Sequence, residues 1–296
     1  MKLGDLDTET RNPRSSGLDL MSTHQVLELM NDEDQTVASA VRSMLPEIAK
    51  AVELIADSLR AGGRLIYLGA GTSGRLGLLD AVECPPTFDT DPGQVTALLA
   101  GGDGAFIQAV EGAEDDTDAA ARDLERLDVG DRDTVVGLAA SGRTPYVVAG
   151  LRRARELGAH TVAVACNPGS AIGREARVAI EVPTGAEVLT GSTRLKAGTA
   201  QKMVCNMLST AAMVRIGKTY GNLMVDMRPT NAKLVDRAGR IVAAAAEVDA
   251  ETAARTLDEA GGRTKVAIVM LLAGVDAEQA DELLLRGGGS VSSAIH

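Results

Sequence analysis

The sequence predicts a three-layer α/β/α domain, a five-stranded parallel sheet with helices on both faces, flanked by N-terminal helices and a small C-terminal helical domain. Three observations carry that expectation. Five short β-prone segments, Arg64–Gly69, Val95–Ala100, Thr134–Ala140, Thr161–Cys166 and Val178–Val182, alternate with helical segments. Several are near-continuous apolar runs, such as Val135-Val136-Gly137-Leu138-Ala139-Ala140, as expected where both faces of a parallel sheet are covered. The chain of 296 residues is 45% hydrophobic, enough for one large core plus an appendage or for two modest domains.

Residues 1–21 show no periodicity, and Thr8 to Ser15 reads as an extended arm. Ser22 and Gln25 have capping-box spacing and open a short helix to about Met30. Val37, Val41, Leu45, Ile48, Val52, Ile55 and Leu59 then paint one helical face, with Pro46 starting a second segment or kinking the first. Between the strands, helices are predicted over Ser73–Val82, Ala105–Val110, Asp115–Arg126 and Tyr146–Leu157, and a long one runs from Ser192 to Gly217. From about Asn231 to Arg286 only short helices are expected. The corresponding domains are 1–54 (arm and helices), 55–218 (α/β) and 219–296 (helical).

Composition excludes several functions. A net charge of −11 and 2% aromatic residues leave no basic stripe or stacking platform for nucleic acid. Cys84, Cys166 and Cys205 lie far apart without metal-ligand spacing, and no metal or cofactor is expected. No apolar run approaches the length of a membrane span, and Met1 to Asp5 carry no leader pattern, so a cytoplasmic location is expected.

Open parallel sheets bind ligands beyond the carboxyl ends of their strands. Two hydroxyl-rich loops belong there. Gly69-Ala70-Gly71-Thr72-Ser73-Gly74 follows the first strand, and Ser141-Gly142-Arg143-Thr144-Pro145 follows the third. Gly71, Thr72, Ser73, Ser141, Gly142, Arg143 and Thr144 are therefore candidate phosphate or sugar ligands, each loop opening a helix N-terminus. One such loop alone is equally well a tight strand–helix connection; two in one sheet favour a ligand. Without an acidic residue closing the second strand, or a Gly-Lys-Ser/Thr loop, a nucleotide is not expected. Glu187 and Ser192, between the last strand and the long helix, fall on the same edge, where the alternative is an ordinary helix cap by Ser192.

With only His24, His160 and His296 available and none well placed, acid–base chemistry falls to carboxylates. Glu83 stands where Cys84-Pro85-Pro86 should end a helix, an unfavourable place for an acid beside the helix dipole; the alternative is a surface carboxylate. Glu114 lies in the acidic run Glu111 to Asp118, whose ordinary meaning is a solvated helix start.

The two loops and the Glu-x-x-x-x-Ser-Thr opening at Glu187 resemble the sugar isomerase (SIS) domain of phosphosugar-binding proteins. More narrowly, the chain resembles the N-acetylmuramic acid 6-phosphate etherase family almost end to end. The resemblance lies in Thr8-Glu9-x-Arg11-Asn12-Pro13, Leu68-Gly69-Ala70-Gly71-Thr72-Ser73-Gly74-Arg75, Glu83-Cys84-Pro85-Pro86-Thr87 and Val110-Glu111-Gly112-Ala113-Glu114-Asp115. It continues in Ala140-Ser141-Gly142-Arg143-Thr144-Pro145, Cys166-Asn167-Pro168-Gly169-Ser170 and Gly221-Asn222-Leu223-Met224-Val225-Asp226. Val82 and Ala232 depart from the usual pattern. The resemblance implies cleavage of the D-lactyl ether of N-acetylmuramic acid 6-phosphate during peptidoglycan recycling, in a homodimer whose catalytic glutamates are Glu83 and Glu114. Two rivals remain: a phosphosugar aldose–ketose isomerase using Glu187 as base, and a non-catalytic sugar-phosphate sensor.

Overall fold

In the computed structural model the chain forms two compact units, residues 1–82 with 93–209 and residues 83–92 with 210–296. Residues 4, 6–108, 110–227 and 232–296 are described, except for the side chains of Ala232 and Lys233. The rest of the Met1 to Asp5 opening, the Asn231 start of the helical tail and the Ala232 departure lie outside them.

The first unit holds the sheet. Strands β1 (Leu65–Gly69), β2 (Val95–Leu99), β3 (Thr134–Leu138), β4 (His160–Ala165) and β5 (Val178–Glu181) are all parallel, in the order β2-β1-β3-β4-β5. Every predicted strand forms within a residue or two of its expected bounds. Alternation of side chains sends Ile66, Leu68, Val135, Ala139, Ala163 and Ala165 to one face. There they pack on α4 (Thr117–Arg126), α5 (Pro145–Glu156) and α6 (Ala171–Glu175) through Leu124, Tyr146, Val147, Leu151 and Ile172.

The other face meets α2 (Leu45–Arg60), α3 (Gly71–Phe88) and α7 (Lys196–Arg215). Buried Ser58 on α2 hydrogen-bonds to Thr134 (2.7 Å), and the Tyr67 hydroxyl donates to Asp80 on α3 (2.8 Å). Ser209 on α7 donates to the other Asp80 oxygen (3.0 Å). Burial pushes the Asp80 carboxyl above its usual range, while these donors oppose the shift.

Three expectations need correction. Ser22 and Gln25 form their capping box, but the helix they open, α1, is a single rod over Thr23–Ser43, because nothing between Met30 and Val37 breaks it. Pro46 lies in the first turn of α2, where its missing N–H has no helical partner to lose. Helix α3 does not stop at Glu83 but runs through Pro85 and Pro86 to Phe88. It ends where Asp89 takes a left-handed conformation (φ 50°) and donates its N–H to the Pro85 carbonyl (3.0 Å). The segment expected as a helix over Ala105–Val110 is instead a 3₁₀ turn, Asp103–Phe106.

The second unit is helical. A two-residue antiparallel ladder, β6 (Thr219–Tyr220) with β7 (Leu223–Met224), precedes α8 (Ala232–Ala246), α9 (Ala250–Glu259), α10 (Thr264–Ala273), α11 (Ala277–Arg286) and α12 (Val291–Ala294). Asp249 and Asp276 cap α9 and α11 by accepting the N–H groups of Thr252 (2.8 Å) and Gln279 (2.9 Å). The core gathers Val225, Ile241, Val242, Leu257 and Leu284 around the apolar α10. Lys265 donates to Asp226 (2.7 Å) and to the carbonyls of Gly217 (3.1 Å) and Gly289 (2.7 Å), which ties three loops to α10. No helix among the described residues is long and apolar enough to cross a membrane.

Candidate active site

The strand order reverses between β1 and β3, so the two hydroxyl-rich loops leave the sheet at its switch point, from residues in register, Gly69 and Leu138. The β1 loop is closed by glycines. A Cβ on Gly69 would lie 2.7 Å from the Gly74 Cα, and one on Gly74 would lie 2.3 Å from a Leu99 methyl. Helix α3 can therefore start directly over the strand end. Ser73 is buried, and its hydroxyl donates to Gln201 Oε1 on α7 (2.8 Å), whereas the expectation had offered that proton to a ligand. Gln201 Nε2 is buried without a hydrogen-bond partner.

The β3 loop is arranged differently. Gly142 is left-handed (φ 71°), and a Cβ there would fall 2.4 Å from that of Ser170. Ser141 Oγ accepts the Arg143 N–H (3.3 Å). Thr144 is the N-cap of α5 but makes no capping bond with its side chain, and Pro145 follows in the first turn. Ser141, Arg143 and Thr144 are all half-buried, and the helix N-terminus behind them carries partial positive charge.

A cleft of about 300 Å³ opens beside the β1 loop, lined among others by Gly71, Arg75, Val110, Glu111 and Glu114. Glu114 occupies a 3₁₀ turn, Ala113–Asp115, which follows left-handed Gly112. The ordinary meaning of the acidic run belongs to its neighbour: Asp116 caps α4 by accepting the Ala119 N–H (2.9 Å). Arg75 braces the far wall, donating to the carbonyls of Ala105 (2.8 Å) and Phe106 (2.9 Å). Sequence reading singled out neither Arg75 nor Gln201, because both act through partners remote in the chain.

Glu83 is exposed and belongs to the second unit, whereas Glu114 belongs to the first. It lies within the body of α3 and not at its end. The dipole argument for its use therefore lapses. Next to it, Val82 is 55% exposed.

Glu187 also departs from expectation. It is fully buried, and its two oxygens accept the N–H groups of Lys196 (3.0 Å) and Ala197 (3.0 Å). Glu187, not Ser192, caps α7; the helix starts at Lys196 and Ser192 lies in the turn before it. Burial raises the Glu187 carboxyl above its usual range, with the two amides pulling against it. A carboxylate so engaged is not presented to a substrate. Nearby, buried Lys196 pairs with Glu33 (2.6 Å), which also accepts from Arg14 (2.9 Å). The third edge loop is likewise occupied internally, since Glu181 accepts from the Gly169 and Ser170 amides (2.7 Å each). All three cysteines are buried, and burial pushes the Cys166 thiol up to about 12, leaving it a packing residue.

Comparison with known proteins finds similarity to parts of the chain and to its whole length. The profile of the glucokinase regulatory protein N-terminal SIS domain matches residues 47–155, and that of the SIS domain matches residues 111–211. A phosphoheptose isomerase from Francisella tularensis is 18% identical, with a TM-score of 0.48 over 64% of this chain and 100% of that one. An N-acetylmuramic acid 6-phosphate etherase of Mycolicibacterium smegmatis is 63% identical over 295 residues, covering 100% of this chain and 99% of its own. One from Yersinia pestis (strain Pestoides F) is 57% identical over 100% of both chains. With identity of this order from end to end, the chain belongs to the N-acetylmuramic acid 6-phosphate etherase family.

Proposed function

We propose that this protein is a carbon–oxygen lyase that cleaves the D-lactyl ether of N-acetylmuramic acid 6-phosphate, yielding N-acetylglucosamine 6-phosphate and D-lactate. The observation that carries the reading is Glu114, a carboxylate lining a cleft together with the β1 loop at the sheet's switch point. Direct hydrolysis of an ether is slow because an alkoxide leaves poorly. With the sugar ring open, the C1 aldehyde acidifies the C2 proton. Glu114 takes that proton, the C3–O bond breaks, and Glu83 protonates the departing lactyl oxygen. Glu83 then activates the water that adds at C3, and C2 regains a proton. Each acid or base contributes about 10²–10⁴-fold in rate.

The phosphate goes to Ser141, Gly142, Arg143 and Thr144. The Thr144 hydroxyl makes no cap bond, and the Ser73 hydroxyl is already engaged. That orientation leaves the reacting carbons beside Gly71, Thr72 and Glu114, with Ser192 at the rim. In this reading the protein is a homodimer in which Glu83 reaches the partner's cleft. The exposed Leu79 and Val82 on the same helix give such a contact an apolar surface. A cytoplasmic location suits a phosphorylated sugar, and no nucleic acid or membrane enters the reaction.

D-lactate release from N-acetylmuramic acid 6-phosphate tests the activity; a folded sample that releases none favours the sensor. Glu83→Gln and Glu114→Gln are each expected to be nearly inactive. Mixing them after subunit exchange should restore activity if the glutamates come from different copies, because one site of each mixed dimer is then intact. No recovery places both in one chain. Exchange of the C2 proton with D₂O at the parent rate in Glu114→Gln would remove Glu114 as the base.

A further inference from the structure

We infer that the N-terminal arm positions the phosphate loop, with Thr8 as the positioning residue acting through Asn167; this rests on the assignment of the phosphate to Ser141–Thr144. Over its described residues the arm forms short 3₁₀ turns, yet Thr8 is fully buried and Asn167, in the loop after β4, is 2% exposed. The two residues clasp each other. The Thr8 N–H donates to Asn167 Oδ1 (3.2 Å), and Asn167 Nδ2 donates to Thr8 Oγ1 (2.9 Å).

Asn167 Nδ2 donates also to the Ala140 carbonyl (3.1 Å), which already accepts the Cys166 N–H (2.9 Å). Ala140 is the residue before Ser141. In a trans peptide the carbonyl of one residue and the N–H of the next point in opposite directions. Two donors that hold the Ala140 carbonyl toward β4 therefore turn the Ser141 N–H away from it, at the entrance of the phosphate loop. Thr8 holds the amide that holds this peptide.

The arm touches a further loop of the same edge, the one after β5, at two points. Asn12 Nδ2 donates to the Ala186 carbonyl (3.5 Å), and a Cβ on Gly191 would stand 3.2 Å from Glu9 Oε2. A segment far in sequence from the sheet is thus tied to the loops after β4 and β5. Its inward hydroxyl is spent on orientation; among the described residues of this stretch, only Leu6 (3% exposed) joins the apolar core.

The test compares Thr8→Val and Thr8→Ser with the parent, using KM for N-acetylmuramic acid 6-phosphate and inhibition by inorganic phosphate. Thr8→Val should raise KM and the phosphate inhibition constant together by about tenfold, the worth of one hydrogen bond, with kcat within about twofold. Thr8→Ser, which keeps the hydroxyl, should restore both. Parent values of both constants in Thr8→Val, or a loss confined to kcat, overturn the inference. If Thr8→Val does not fold, Thr8→Ala decides by the same readings, and failure of both to fold assigns Thr8 to stability and overturns it too. A parent KM in Ser141→Ala would instead remove the phosphate loop itself, whatever Thr8 does.

Discussion

Helices α5 and α7 both begin on the carboxyl edge of one sheet, and their N-termini are treated in opposite ways. At α7 a fully buried carboxylate, Glu187, accepts the first two amides. At α5 the N-cap is Thr144, whose side chain makes no capping bond, and the first turn holds no acid. Each terminus carries the same partial positive charge from its helix. One is neutralised from within the chain by a side chain, and the other has no such side-chain cap. The contrast teaches that a helix N-terminus on a ligand edge identifies a binding site only when the chain has not already occupied it.

The contrast breaks or holds on three measurements. The largest effect is expected from Glu187→Gln, which removes the charge from two buried hydrogen bonds and should cost about 2–3 kcal/mol in urea unfolding. KM for the phosphosugar should stay near the parent value. Lost turnover at parent stability would return Glu187 to the role of an isomerase base. Next, Thr144→Val should raise KM by about tenfold, since a hydroxyl donated to a phosphate is worth about 1.5 kcal/mol or more. Its unfolding free energy should change by no more than about 0.5 kcal/mol, as for a partly exposed position. A stability loss with unchanged KM would make α5 a second internally capped helix.

The smallest effect concerns acid. Burial alone would raise the Glu33 carboxyl, but Lys196 and Arg14 outweigh it and hold the group below its usual range. Its contribution is then full above the unfolded carboxylate pKa, about 4.3, and is lost as pH falls through the lower folded value. Glu187 has the opposite sign: with its folded pKa raised, its titration favours the native state at low pH, and that advantage fades as pH rises. Glu187→Gln should therefore make stability fall more steeply on acidification than in the parent. Parallel curves would mean that the burial of Glu187 does not perturb its titration.

The strands, most helix bounds and the two edge loops were legible because their signals are local. Val135 to Ala140 reads as a covered strand from its own composition, and Ser22 with Gln25 forms a cap from spacing alone. The reading of Glu83 as a helix end failed for a physical reason. Proline weakens a helix locally, yet here the turn continues through two prolines to Asp89. Thr87 Oγ1 also donates to the Glu83 carbonyl (2.7 Å) within that last stretch. Nothing local announced that Ser73 would spend its proton on Gln201, more than a hundred residues away.

What the chain determined by itself was a parallel sheet with two small-residue loops on its ligand edge, because periodicity and glycine placement act over a few residues. Only the tertiary structure decided which polar groups on that edge are engaged. Ser73 goes to Gln201, Glu187 to α7, Glu181 to the Gly169–Ser170 amides, and Glu114 faces a cleft. A buried polar group must find a partner, and which partner lies within hydrogen-bonding reach depends on how distant segments pack.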